Sequence, residues 1–150
     1  MLIYKISQNI YAKTLAASGK ENRWNTGQML VINCASSLCL ASLEVVVNTS
    51  GKSLINQNFS SIIIEIPEKT KTTIIDVKAL PGNWKETEQK KYTQQIGDGW
   101  YNKQETLLLQ VPSAIISREV NYLINTKHPD FSKVYISEID SFMFDKRIKS

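Results

Sequence analysis

The chain has 150 residues, of which 42% are hydrophobic, a size that fits one domain able to bury a core without disulfide or metal staples. Its formal charge of +4 comes from 18 Lys+Arg against 14 Asp+Glu, and no run is basic enough to serve as a nucleic-acid arm. The excess suits a small anionic ligand or an acidic partner instead.

In chain order, Leu2 to Ile6 alternates like a strand, and Met1 to Ile6 is too short and too soon interrupted to be a signal peptide. No apolar run approaches the roughly 20 residues of a membrane span, so a membrane role is not expected. Lys13 to Gly27 is polar and punctuated by Gly19 and Gly27, which places Arg23 in a loop. Met29 to Cys34 reads as a buried strand. Ser36 or Ser37 then caps a helix carrying Leu38, Leu40, Ala41, Leu43 and Val47, with Glu44 inside it. Cys34 and Cys39, both in this apolar stretch, are expected as buried reduced thiols of a cytoplasmic protein.

Ser60 to Ile66, stopped by Pro67, and the β-branched Thr72 to Val77 suggest a hairpin. Leu80 to Trp84 is loop. Glu86 to Ile96 is a polar helix that Gly97-Asp98-Gly99 is expected to end. Leu107 to Val111 is a core strand ended by Pro112, and Val134 to Phe144 supplies one or two further strand-like pieces. Strands and helices without a strict βαβ rhythm predict an α/β (mixed α+β) domain with a mixed sheet, spanning residues 1–150.

Most familiar chemistries are poorly served. Cys34, Cys39 and the sole histidine, His128, lack a second ligand pair for zinc, so no metal is expected. No Gly-x-Ser-x-Gly elbow surrounds a serine, and His128 is better read as ordering its own loop, Lys127 to Phe131. Gly97-Asp98-Gly99 follows a helix rather than opening one, which excludes a dinucleotide-fold fingerprint. The lysines at 69, 71, 90, 91, 146 and 149 lack interleaved aromatics and read as solvated surface, so no direct nucleic-acid contact is expected.

What stands out is a polar triplet in apolar surroundings: Arg23 beside Trp24, Glu44 in Leu43-Glu44-Val45, and Ser113 in Val111-Pro112-Ser113-Ala114. A buried charge needs compensation, so a binding pocket is one account. A plainer one has Arg23 and Glu44 as a structural ion pair, Ser113 satisfying loop backbone, and Trp24 in the core.

The ordered segments Tyr4-Lys5-Ile6, Arg23-Trp24-Asn25, Leu43-Glu44-Val45, Leu80-Pro81-Gly82-Asn83-Trp84, Thr93 to Trp100, Val111-Pro112-Ser113-Ala114 and Phe142 to Arg147 together resemble the RES-domain family. Its members are toxins of bacterial RES–Xre type II toxin–antitoxin pairs. The resemblance implies an ADP-ribosyltransferase-like fold with a central sheet and flanking helices. It also implies cleavage of NAD at the nicotinamide–ribose bond, by phosphorolysis with inorganic phosphate or by hydrolysis, with no other cofactor. Some relatives instead transfer ADP-ribose to a protein. The implied partners are an adjacent Xre-type helix-turn-helix antitoxin and a second toxin subunit.

By the same resemblance the catalytic set is Arg23, Glu44 and Ser113, and the NAD-binding set adds Lys5, Trp24 and Asn33. Glu44 would face the positive charge that develops on the ribose. Arg23 would grip the pyrophosphate with its planar fork, Trp24 would pack on a ring, and Ser113 would position the nicotinamide or ribose. Two positions depart from the family pattern: Asn33 stands where tyrosine is usual, and Lys5 where arginine is common. Asparagine keeps hydrogen-bonding capacity without an aromatic face, so a chain that binds nucleotide or antitoxin without chemistry is an alternative.

Overall fold

The structure is a computed structural model that describes residues 1–149. Its strands are β1 (Leu2–Gln8), β2 (Val31–Ala35), β3 (Phe59–Glu65), β4 (Thr72–Ile74), β5 (Leu108–Pro112), β6 (Val120–Asn125) and β7 (Tyr135–Phe142). The helices are α1 (Leu38–Asn48), α2 (Gly51–Asn56) and α3 (Lys90–Lys103). All seven strands join one sheet in the order β4-β5-β6-β2-β1-β3-β7, antiparallel except for the parallel β4–β5 pair. This is the mixed α/β architecture expected from the sequence.

The pairing is uneven. β1 runs against β3 through seven registered positions, Leu2 with Glu65 to Gln8 with Phe59, whereas β1 and β2 share only Tyr4 with Ala35. The sheet is thus two well-paired halves joined at a narrow seam. One face is sealed by a single apolar cluster containing Ile3, Ile32, Ile62, Ile64, Leu108 and Ile124. On the other face the apolar cover falls into two clusters. Trp24, Val31, Trp84, Trp100, Leu109 and Leu123 form one, and Ile6, Ala35, Leu40, Leu54, Phe59 and Phe144 the other.

Several expectations are corrected. The hairpin of residues 60–66 with 72–77 does not form, because β3 is paired along both edges, by β1 and by β7. β4 instead joins β5 at the opposite edge of the sheet, where Thr73 Oγ1 and Thr106 Oγ1 meet at 2.7 Å. The strand β6 and the short helix α2, capped by Ser50, were not evident in the sequence. Cys39 is exposed, while Cys34 is buried as expected; both are free thiols. His128 does order its loop, its Nδ1 accepting from the Asp130 amide at 3.1 Å.

Gly97-Asp98-Gly99 does not stop α3, which continues to Lys103 and ends at Gln104 in a left-handed conformation (φ 54°). Gly97 serves packing instead. A Cβ there would lie 1.6 Å from the Trp24 carbonyl oxygen, whereas one at Gly99 would meet nothing within 4 Å.

The two glycines therefore separate cleanly. Gly97→Ala is expected to destabilise the protein by about 3 kcal/mol, since backbone must move, while Gly99→Ala should stabilise it by up to about 1 kcal/mol through helix propensity. Denaturant midpoints of the two variants check this, and equal stability would refute the close approach.

Candidate active site

The gap between the two apolar clusters is a cleft of about 710 Å³. Along β2 the side chains on this face run Val31, Asn33, Ala35, and Asn33 is exposed between two buried neighbours. The register places Leu123 opposite Asn33 and Asn121 opposite Ala35, and all four line the cleft. The strands thus set Asn33 and Asn121 into the apolar cover, with the β1–β2 seam and its Tyr4 and Lys5 alongside.

One wall is α1. Its Leu40 packs into the core, so Ala41, Glu44, Val45 and Asn48, spaced along the adjoining face, line the cleft. The helix is pinned at both ends. Ser37 Oγ accepts from the Leu40 amide at 3.1 Å and donates to Glu119 at 2.8 Å. At the far end Lys149 Nζ donates to the Val46 and Thr49 carbonyls, both at 2.9 Å, a favourable place for a cation. Burial raises the Glu44 carboxyl above the ordinary glutamate range; the neighbouring Asn121 amide and the Arg23 charge offset this in part.

The other wall is the Arg23 loop and the start of α3. The loop is a tight turn, with the Asn22 amide donating to the Asn25 carbonyl at 3.0 Å and the Trp24 amide to Asn22 Oδ1 at 2.9 Å. One face of α3 grips it. Thr93 Oγ1 donates to the Arg23 carbonyl, Gln94 Nε2 to the Asn22 carbonyl at 2.9 Å, and Asp98 accepts from the Thr26 amide and hydroxyl at 3.0 and 2.7 Å. The Arg23 guanidinium lies over Trp84, 5.8 Å from the ring centroid, with Nη1 donating to the Lys85 carbonyl at 3.0 Å.

Of the residues singled out from the sequence, Lys5, Arg23, Trp24, Asn33 and Glu44 line this cleft. Among the described residues no ion pair joins Arg23 to Glu44, so the plain structural-pair account does not hold. Two roles need correction. Trp24 is 5% exposed and packs on Trp84 at 5.8 Å, so the ring it covers belongs to the protein, and it is Trp84 over which Arg23 lies. Ser113 is fully buried and outside the lining. Its Oγ accepts from the Ile115 and Ile116 amides, both at 3.0 Å, shaping the turn whose Ala114 and Ile115 do line the cleft. Ser113 thus positions the wall without lining the cleft.

Residues 3–145 match the model of the RES domain. The chain belongs to the RES domain family. It is similar to "Toxin Res" of Yersinia enterocolitica (33% identical, 99% of this chain and 100% of that protein) and to "Toxin Res" of Photorhabdus laumondii (30%, 99% and 97%). It is 32% identical to the "Prs ADP-ribosylating toxin" of a Sphingobium strain, over 84% of this chain and 79% of that one. Its fold is shared with a chain of the M. tuberculosis MbcT–MbcA toxin–antitoxin complex, at TM-score 0.77 over 95% of this chain and 84% of that one, with 14% identity.

The cleft of this RES domain also holds residues that sequence reasoning did not assign to it: Tyr4, Glu21, Asn48, Lys90 and Asn121. The register of β6 brings Asn121 next to Glu44. Cys34 also lines the cleft, but burial pushes its thiol up to about 12, which keeps it protonated and inert. No group of three or more His, Cys, Asp and Glu able to hold a metal occurs among the described residues.

The raised Glu44 pKa carries a stability consequence. Between its unfolded and folded values the native state holds the extra proton, so stability declines as pH rises through the folded pKa. Glu44→Gln is therefore expected to raise Tm at pH 7, with the gain shrinking toward pH 4. Thermal unfolding across pH 4–8 checks this, and a Tm lowered at pH 7 would contradict the assigned environment.

Proposed function

We propose that this RES domain is a toxin that consumes NAD by breaking the bond between nicotinamide and ribose. The carrying observation is that a half-buried carboxylate, Glu44, and the guanidinium of Arg23, whose loop α3 holds, line one cleft from different walls. When the C–N bond breaks, its electron pair leaves with neutral nicotinamide and positive charge spreads over the ribose ring. A fixed carboxylate in a partly dehydrated wall stabilises that charge more than water would, because it needs no reorientation. Arg23 holds the pyrophosphate as a two-pronged donor, freeing itself from Lys85 as it does so. Asn33 and Asn121 on the floor are placed to hydrogen-bond the ribose hydroxyls or the carboxamide. An oxygen of inorganic phosphate, or of water that gives up a proton to solvent, then bonds to the anomeric carbon.

The relatives named as toxins and the toxin–antitoxin complex of the same fold support a cytoplasmic toxin whose partner is an antitoxin. We assign that partner to the Xre-type helix-turn-helix class, with its C-terminal part occupying the cleft, and expect the toxin to pair with a second copy within the complex. Transfer of ADP-ribose to a protein is the second reading, favoured by the relative named as ADP-ribosylating. A chain that binds without reacting is the third, favoured by Asn33 at a floor position where the family usually has tyrosine.

Purified protein incubated with NAD, with and without phosphate, is expected to release nicotinamide, and Glu44→Ala to slow release at least about 100-fold. Release no faster than the Glu44→Ala background would reject the enzyme. The accompanying product, ADP-ribose 1″-phosphate, ADP-ribose or modified protein, identifies the acceptor, and activity appearing only in Asn33→Tyr would select the third reading.

A further inference from the structure

Lys90 and Glu21 form the shortest ion pair of the described residues, Nζ to Oε1 at 2.7 Å, and both line the cleft. Neither is locked away from solvent, at 40% and 55% side-chain exposure, so the pair is not a buried structural bridge. An exposed pair of this kind adds little to stability, which leaves its position to be explained. That position is set by one hydroxyl. Thr93 Oγ1 contacts the carbonyls of both Arg23 and Lys90, the latter at 3.0 Å, and so fixes the backbones of the two cationic residues beside each other. Glu21 lies two residues before Arg23 on the same gripped loop. Its carboxyl is held below the ordinary range by Lys90 and Gln94, so it is an anion at neutral pH.

Besides Lys5, the cleft therefore presents two adjacent cations on one wall, Arg23 and Lys90, and among the described residues only Lys90 is paired with a carboxylate. We propose that Lys90 holds phosphate beside Arg23 and that Glu21 is its placeholder, an internal anion that the pyrophosphate of the dinucleotide displaces. Arg23 and Lys90 then divide the two phosphates, the first by a planar fork and the second as a point charge. Glu21 competes with the substrate and keeps the ammonium neutralised and aimed while the cleft is empty. Released, the carboxylate turns to solvent, which its exposure allows. The inference rests on a dinucleotide being the ligand.

Opposite signs test it. Steady-state nicotinamide release is measured against NAD for wild type, Lys90→Gln, Glu21→Gln and the double variant. Lys90→Gln should raise KM about tenfold with kcat nearly unchanged, the loss of one charged hydrogen bond. Glu21→Gln should lower KM severalfold, and the double variant should behave as Lys90→Gln. The same shifts are expected in the Kd for ADP, followed by tryptophan fluorescence. A KM or Kd raised by Glu21→Gln as well would make the pair structural and overturn the inference, as would an unchanged KM or Kd in Lys90→Gln. Wild type that releases nicotinamide while the variants fail this pattern sinks only the inference. Wild type that binds ADP with the opposite shifts but releases no nicotinamide sinks only the NAD-cleaving reading. Wild type that neither binds ADP nor releases nicotinamide sinks both.

Discussion

A single registered pair, Tyr4 with Ala35, joins the two halves of the sheet, and the site exists because that joint is so narrow. Were β1 and β2 zipped along their full lengths, as β1 and β3 are, one continuous apolar layer could cover the face. Instead two clusters form, one under α1 and one under the tryptophans, and the strip between them is polar. A cleft of this origin is a property of the strand register and needs no movement to open. Its floor is rigid because Asn33 and Asn121 lie on paired strands, which suits groups meant to meet a ligand in fixed geometry.

The two walls differ in how they are held, and the difference follows from charge. Glu44 sits mid-helix, on an element anchored by a serine cap at one end and a lysine at the other. Its partial burial is unfavourable for folding, and the pinned ends keep the helix from swinging the carboxylate out to water. Arg23 sits at the tip of a turn, where backbone alone offers little restraint. There α3 supplies it, with Thr93, Gln94 and Asp98 bonding the loop and Gly97 allowing contact with the Trp24 carbonyl. The restraint is not free of expense: Asn25, buried in the same loop, leaves its Oδ1 without a partner among the described residues.

Much of this was legible in the sequence where a residue's role is local. The capped helix carrying Glu44, the loop carrying Arg23 and the strand ended by Pro112 follow from periodicity, punctuation and proline chemistry. What was not legible depends on partners distant in sequence. β3 looked like half of a hairpin because its neighbour in sequence is also β-branched, but four buried residues in a row mark a strand covered on both faces. β6 was hidden because Asn121 and Asn125 interrupt its apolar pattern, and those asparagines face a cleft and a helix end that only the fold creates; Asn125 Nδ2 donates to the Tyr101 carbonyl at 3.1 Å. Gly97-Asp98-Gly99 read as a helix stop because glycine usually costs a helix stability. The packing that compensates lies on a loop more than 70 residues earlier.

Ser113 shows how a residue can shape a cleft without lining it. Its hydroxyl holds the turn at Ile115 and Ile116, and its amide donates to the Glu119 carbonyl at 3.0 Å. Glu119 in turn accepts from the Ser37 hydroxyl that caps α1. A continuous chain of bonds thus runs from Ser113 through one turn to the helix on which Glu44 is mounted. The hydroxyl is thereby tied, as the far end of a brace, to the helix that carries the carboxylate, while the guanidinium stands on a separately held wall. Losing the hydroxyl would leave two part-buried amide hydrogens without their acceptor and loosen the start of α1 without removing any group that lines the cleft. Kinetically, such a residue is hard to distinguish from one that binds substrate, since displacing a carboxylate by an ångström weakens its hold on a developing charge as surely as deleting a contact does.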